Sequence, residues 1–150
     1  AKIYDGQLAI LGNSSVGSTI QHMKDQEQEH LDTFNKLLIE NDTRPTALLP
    51  IWNIMGFGLG IASAIMGKKA AMACTIAVEE VIGEHYSKQV EALGTERPEL
   101  KKTLMKFRDE ELDHLNIGVD HEGRDANGYQ IMKTIVQFGC RTAIKISEKI

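Results

Sequence analysis

One short polar phrase, written twice, constrains this chain more than any other feature. "MKDQEQEHLD" at residues 23–32 returns as "FRDEELDHLN" at residues 107–116. The offset is 84 positions (107 − 23), and Asp25, Glu27, His30 and Leu31 recur as Asp109, Glu111, His114 and Leu115. Lys24 answers Arg108, and Glu29 answers Asp113. On a helix, residues three apart share a face. Each phrase can therefore present a carboxylate and an imidazole to one point, Glu27 with His30 and Glu111 with His114. A single Glu-x-x-His is ordinary on a solvated helix face. Two copies in matched surroundings point to a shared task.

The rest of the chain reads as helices to carry that pair. There are three prolines, Pro45, Pro50 and Pro98, and none interrupts a long periodic stretch. β-branched alternation is rare, which favours an all-α fold. Helices are predicted over 1–12, stopped by Gly12-Asn13, and over 16–41, with Ser14 and Ser15 as caps. An apolar Gly-rich segment to Gly67 follows the break at Asn41–Pro45. Helices are then predicted over 69–93, over 98–118 with Pro98 in the first turn, and over 129–148. That order is a helix pair, a spacer, a second pair and a tail, with the repeated phrase on the second helix of each pair. It predicts a ferritin-like four-helix bundle with one long crossover, a C-terminal extra helix and a single domain over 1–150.

A di-metal carboxylate site in such a bundle takes two Glu-x-x-His turns and one Glu from each of the other two helices. The 69–93 helix offers "AMACTIAVEEVIGEHY", with eight uncharged residues from Ala71 to Val78 before Glu79 and Glu80. A carboxylate in such company is costly unless paired or metal-bound. Helix geometry leaves the choice between Glu79 and Glu80 open. On the first helix the one acid is Asp5, about two turns, roughly 10 Å, from the expected ligand level. It is a poor candidate. Carboxylates with neutral imidazoles suit iron or manganese, not the thiolate-bound metals.

Ala47 to Gly67 carries no charge over 21 residues. A buried crossover helix and a membrane contact both suit this stretch. Trp52 fits a membrane interface, and Gly56 with Gly60 permits close helix approach. A formal net charge of −4 and 5% aromatic residues argue against nucleic acid. Cys74 and Cys140 lie in apolar context and read as buried free thiols in a reducing compartment. The chain opens inside an amphipathic pattern without Met, so its first residue is not expected to be the native start.

These residues resemble the ubiquinone-biosynthesis di-iron hydroxylases, the 5-demethoxyubiquinone hydroxylase family. The resemblance covers essentially the whole chain. It is carried by "IYDGQLAILG", "DQEQEHLDTFN", "RPTALLPIWNIMGFGLGIASAIMGKKAAMACTIAVEEVIGEHY", "FRDEELDHLNIGVDHEG" and "FGCRTAIKISEKI". It implies two iron ions held by Glu27, His30, Glu79, Glu111 and His114, and so prefers Glu79 over Glu80. It implies a role for His85 and Tyr86 in electron or proton delivery, with NADH as reductant. Demethoxyubiquinol and O2 would be the substrates. A membrane surface and proteins of the biosynthetic complex, a lipid-binding protein among them, would be partners. The implied place is the matrix side of the mitochondrial inner membrane, or the cytoplasmic side of a bacterial plasma membrane. The family has a further Glu, in a Glu-Tyr-Gly motif directly before the position of Ala1. The other reading of the same bundle is a non-enzymatic iron-, quinone- or lipid-binding scaffold.

Overall fold

The computed structural model describes residues 1–150. Six α-helices follow one another: α1 (Lys2–Leu11), α2 (Gly17–Glu40), α3 (Leu49–Ile65), α4 (Lys68–Leu93), α5 (Pro98–Asp120) and α6 (Tyr129–Ser147), with a short 3₁₀ turn at Gly123–Asp125. There are no strands. Each predicted helix is present within a residue or two of its expected bounds.

The helix ends follow local chemistry, with one shift from expectation. Pro98 opens α5 with Glu99 in the first turn, where a negative charge meets the positive end of the helix dipole. Gly94 closes α4 at φ +54°, a conformation that disfavours a side chain. The predicted serine caps of α2 are displaced. Val16 is the capping residue, and Ser14 instead spans the turn, donating to the Leu11 carbonyl at 2.6 Å and accepting from the Val16 amide at 3.3 Å.

The α4 helix is the centre of the molecule. From Ala70 to Glu79 every residue is buried. The α5 helix packs along it on one side, and α3 and α6 also lie against it. The first core cluster joins Tyr4 and Leu11 of α1, Ile20 and Met23 of α2, Ala64 of α3, and Ala71 and Met72 of α4. A second, aromatic cluster holds Tyr86, Val90, Leu104 and Phe107, with Phe34 against it.

The crossover α3 lies on α1 at very short range. A methyl group on Gly60 would stand 2.0 Å from the Ile3 carbonyl oxygen, and one on Gly6 would stand 2.2 Å from that of Phe57. The Gly56/Gly60 step thus serves close approach, as its spacing predicted. The opposite side of α3 is apolar and open, with Ile54 75% and Met55 59% exposed. No helix is long and apolar enough to cross a membrane. An apolar stripe is also open on α6, at Ile131, Ile135 and Phe138. Cys74 is buried and burial pushes its thiol up to about 12, whereas Cys140 is only half-buried; both are free.

Candidate metal centre

The two halves of the repeated phrase meet. Glu27 and His30 project from α2, Glu111 and His114 from α5, and Glu79 from α4. Donor atoms of Glu27, Glu79, Glu111 and His114 all lie within 4.8 Å of one another. His30 joins them through Glu111. Its Nδ1 is 3.0 Å from Glu111 Oε1, and the other oxygen of that carboxylate, Oε2, is 3.4 Å from His114 Nδ1. Glu111 therefore lies between the two imidazoles, one oxygen toward each. Glu27 Oε1 is 3.8 Å from His30 Nδ1 and 3.5 Å from His114 Nδ1. Glu79 Oε1 is 3.7 Å from His114 Nδ1.

These groups are deep. His30, Glu79, Glu111 and His114 are each at most 3% exposed. Buried polar atoms almost always have partners. Here six do not: Glu27 Oε1, His30 Nδ1, Glu79 Oε2, both oxygens of Glu111, and His114 Nδ1. All six belong to the five ligands implied by the resemblance. A set of unpartnered carboxylate oxygens and imidazole nitrogens facing one another, with no thiolate among them, fits oxygen- and nitrogen-bound iron or manganese.

Electrostatics of the cluster agree. Burial raises Glu79 above the usual carboxylate range, and Glu111 beside it adds to the effect. Burial acts on Glu111 in the same sense, but the neighbouring Glu79, His114 and His30 outweigh it and hold it low. Burial opposes charge on His114, yet Glu111, Glu27 and Glu79 together push it up to about 11. His30 is likewise raised, by Glu111 and Glu110 against burial. The shifts of the two histidines and of Glu79 all favour the protonated form in the metal-free cluster.

The helix-wheel ambiguity on α4 is resolved by burial. Glu79 points inward, while Glu80 is half-exposed and pairs with Lys133 Nζ at 3.0 Å. Asp5 stands apart, 2.7 Å from Lys24 Nζ. Tyr86 is buried edge-on to His30, ring centres 6.4 Å apart. His85, its neighbour, is not brought to the cluster. It shares a surface groove with Arg141 and Ile144 and sits 3.4 Å from Gln89 Nε2.

Sequence reasoning missed four kinds of neighbour. Tyr4 of α1 donates to Glu79 Oε1 at 2.5 Å. Phe107 stacks on His30 at 4.0 Å. Gln26 accepts from His114 Nε2 at 2.7 Å, and Glu110 from His30 Nε2 at 2.5 Å. A cleft of about 490 Å³ reaches the centre between α1, α2 and α3, lined by Glu27, His30, Leu31, Phe34, Trp52 and Tyr86 among others. The one available signal was positional: 26 and 110 are equivalent in the repeat, as are the buried Met23 and Phe107.

Residues 1–147 match the family described as ubiquinone biosynthesis protein COQ7. A relative from Homo sapiens, named NADPH-dependent 3-demethoxyubiquinone 3-hydroxylase, mitochondrial, is 50% identical over 99% of this chain and 70% of its own length. The Rhodospirillum rubrum protein named 3-demethoxyubiquinol 3-hydroxylase is 43% identical, covering 99% of this chain and 71% of its own. The Saccharomyces cerevisiae protein named 5-demethoxyubiquinone hydroxylase, mitochondrial, is 36% identical over the same shares. With a match that runs nearly from end to end and a carboxylate–histidine centre where the repeated phrase put it, the chain belongs to the COQ7 family of ubiquinone biosynthesis proteins.

Proposed function

We propose that this chain is an O2-dependent hydroxylase of the demethoxyubiquinol ring, working as one ferritin-like di-iron domain over residues 1–150. The observation that carries the reading is the convergence of six unpartnered donor atoms from five side chains. Glu27, His30, Glu79, Glu111 and His114 would hold two iron ions, which when bound supply the O2 chemistry. Glu111, with one oxygen toward each histidine, would serve both ions.

The chain's own work is to bind, orient and exclude water. Phe34, Tyr86 and Phe107 pack as an aromatic wall beside His30. The cleft beside it ends at Glu27 and His30 and has Trp52 of α3 on its rim. A flat quinol ring suits a slot with aromatic sides. Tyr86 lies where ring and centre meet, and it is held protonated by burial and the surrounding carboxylates. In this proposal Tyr86 and His85, adjacent on α4, carry electrons or protons between the centre and the α6 groove. A reduced nicotinamide is the electron source. NADH is implied by the resemblance, whereas the printed name of the human relative specifies NADPH.

The open apolar side of α3 supports contact with a membrane surface, where an isoprenoid tail can stay in lipid while the ring enters the cleft. The proposal places the protein peripherally on the matrix side of the mitochondrial inner membrane, with proteins of the biosynthetic complex, a lipid-binding protein among them, as partners. The relatives' printed names favour the enzyme over the scaffold reading.

The test is anaerobic loading with ferrous iron, then a short-tailed demethoxyubiquinol and isotopically labelled O2. The expected product carries one labelled oxygen on the ring, and His30→Ala and Glu111→Ala abolish both iron loading and product. Product formed at the normal rate by either variant overturns the assignment.

A further inference from the structure

We propose that Asn53 is a specificity-determining residue of the cleft, its side-chain amide forming a hydrogen bond with an oxygen substituent of the substrate ring. The inference rests on the quinol reading above and adds to it the group that grips the ring.

The cleft takes one face of α3. Leu49, Trp52, Asn53 and Gly56 line it, and that spacing puts them on one side of a helix. The open apolar residues Ile51, Ile54 and Met55 fall outside that face. Two contacts fix the rotation of α3. Trp52 Nε1 donates to Ser147 Oγ, at the end of α6, at 2.7 Å. Gly60 abuts the Ile3 carbonyl so closely that no side chain fits between them.

Asn53 stands out on this face. The α3 helix has one amide side chain, Asn53, and one hydroxyl, Ser63. Ser63 is buried and satisfied, donating to the Gly60 carbonyl at 3.0 Å and accepting from Gln7 Nε2 at 3.4 Å. Asn53 is half-buried, and no group of the chain bonds its amide. Drawing an amide out of water without a partner is costly. In an otherwise apolar helix, such a group is best served by a partner that fills the cleft. The other polar side chains along the cleft are taken or wet. Asp5 is held by Lys24 at 2.7 Å and by Lys2 at 3.5 Å, and Gln28 donates to Asp32 at 2.9 Å. Asn35 is unbonded but exposed, where water serves it.

The chemistry of the group matches the ring. An amide carries both donor hydrogens and an acceptor oxygen. It can donate to a quinone carbonyl or a methoxy oxygen and accept from a quinol hydroxyl. It therefore holds the ring in either oxidation state. Trp52, clamped by Ser147, supplies a flat wall beside it. A ring held by one substituent turns a fixed edge to the carboxylate–histidine cluster, and that selects the carbon to be hydroxylated.

Trp52 is the one tryptophan of the chain and lines the cleft, so its fluorescence reports occupancy. The purified full chain, kept anaerobic, is titrated with a short-tailed demethoxyubiquinone, which is expected to quench Trp52. The corresponding quinol, and analogues of it each lacking one ring oxygen, then compete with the quinone. On the wild type, one analogue is expected to bind about 3- to 10-fold more weakly than the parent quinol, the worth of a single hydrogen bond. In Asn53→Leu, of nearly the same shape, and in Asn53→Ala, that difference should vanish while the other analogues keep their ranking. A difference that persists in both variants, or a wild type blind to every ring oxygen, overturns the inference and leaves the cleft reading standing. A quinone that leaves Trp52 fluorescence unchanged overturns the quinol reading of the cleft and the inference with it.

Discussion

Tyr4 donates its phenolic hydrogen to Glu79 Oε1 at 2.5 Å, joining the first helix to the fourth across the buried centre. The bond occupies one oxygen of Glu79, and the other, Oε2, is left without a partner and available to a metal. Tyr4 is 3% exposed, so no water replaces it readily. Tyr4→Phe is expected to destabilise the metal-free chain by about 1–3 kcal/mol, the cost of an unsatisfied buried acceptor. It should also weaken metal binding by roughly tenfold or more. Denaturant unfolding and a Co2+ titration check the two parts, and unchanged values in both would remove Tyr4 from the account.

Gly60 is where α3 touches α1. Gly60→Ala would bring a methyl group to 2.0 Å from the Ile3 carbonyl, a backbone atom that cannot yield without moving α1. A loss of about 1–3 kcal/mol or more is expected. Gly58 lies two residues away with nothing within 4 Å of its position. Gly58→Ala should stabilise by about 0.5–1 kcal/mol, since it only removes helix-interior glycine entropy. Thermal melting of the two variants should shift in opposite directions.

Metal binding should expel protons. His114 is pushed up to about 11 by its carboxylate neighbours, so in the metal-free chain it is charged at neutral pH. A metal on Nδ1 must displace that proton. The sign is then fixed: affinity rises with pH, by about tenfold per pH unit for each proton displaced. Titration calorimetry in buffers of different ionisation enthalpy should show net proton release. A binding constant flat from about pH 6 to about pH 8 would contradict the charged histidine.

The open side of α3 is the proposed lipid contact. Met55→Asp with Phe57→Asp should release the protein from liposomes, because a charge resists burial in the acyl boundary. Both side chains are exposed, so the fold is expected to survive, as circular dichroism would show. Co-sedimentation equal to wild type would argue against this face.

How much of this was legible beforehand differs from residue to residue. The helices were, because Pro98, Gly94 and the Asn41–Pro45 break punctuate an otherwise periodic chain. The meeting of His30 with His114 was, because the repeat ties two remote segments to one task. Glu79 against Glu80 was not settled by pattern. Neighbours on a helix differ by about 100°, and both edge the apolar face. Their difference is made by Lys133 on α6, fifty-three positions on (133 − 80), which holds Glu80 at the surface. Tyr4 was missed for the same physical reason. Its contact with Glu79 crosses 75 positions, and nothing local marks a buried tyrosine as a donor to a ligand. Gln26 and Glu110 carry no local mark of their contacts, which depend on the partner helix.

In the proposed centre two Glu-x-x-His turns close on one pair of metal ions. Anomalous diffraction at the iron edge, from crystals loaded anaerobically with ferrous iron, tests it most directly. Two peaks are expected between His30 Nδ1 and His114 Nδ1, with Glu111 in contact with both. Iron bound elsewhere, or no iron beside these two nitrogens, would contradict it.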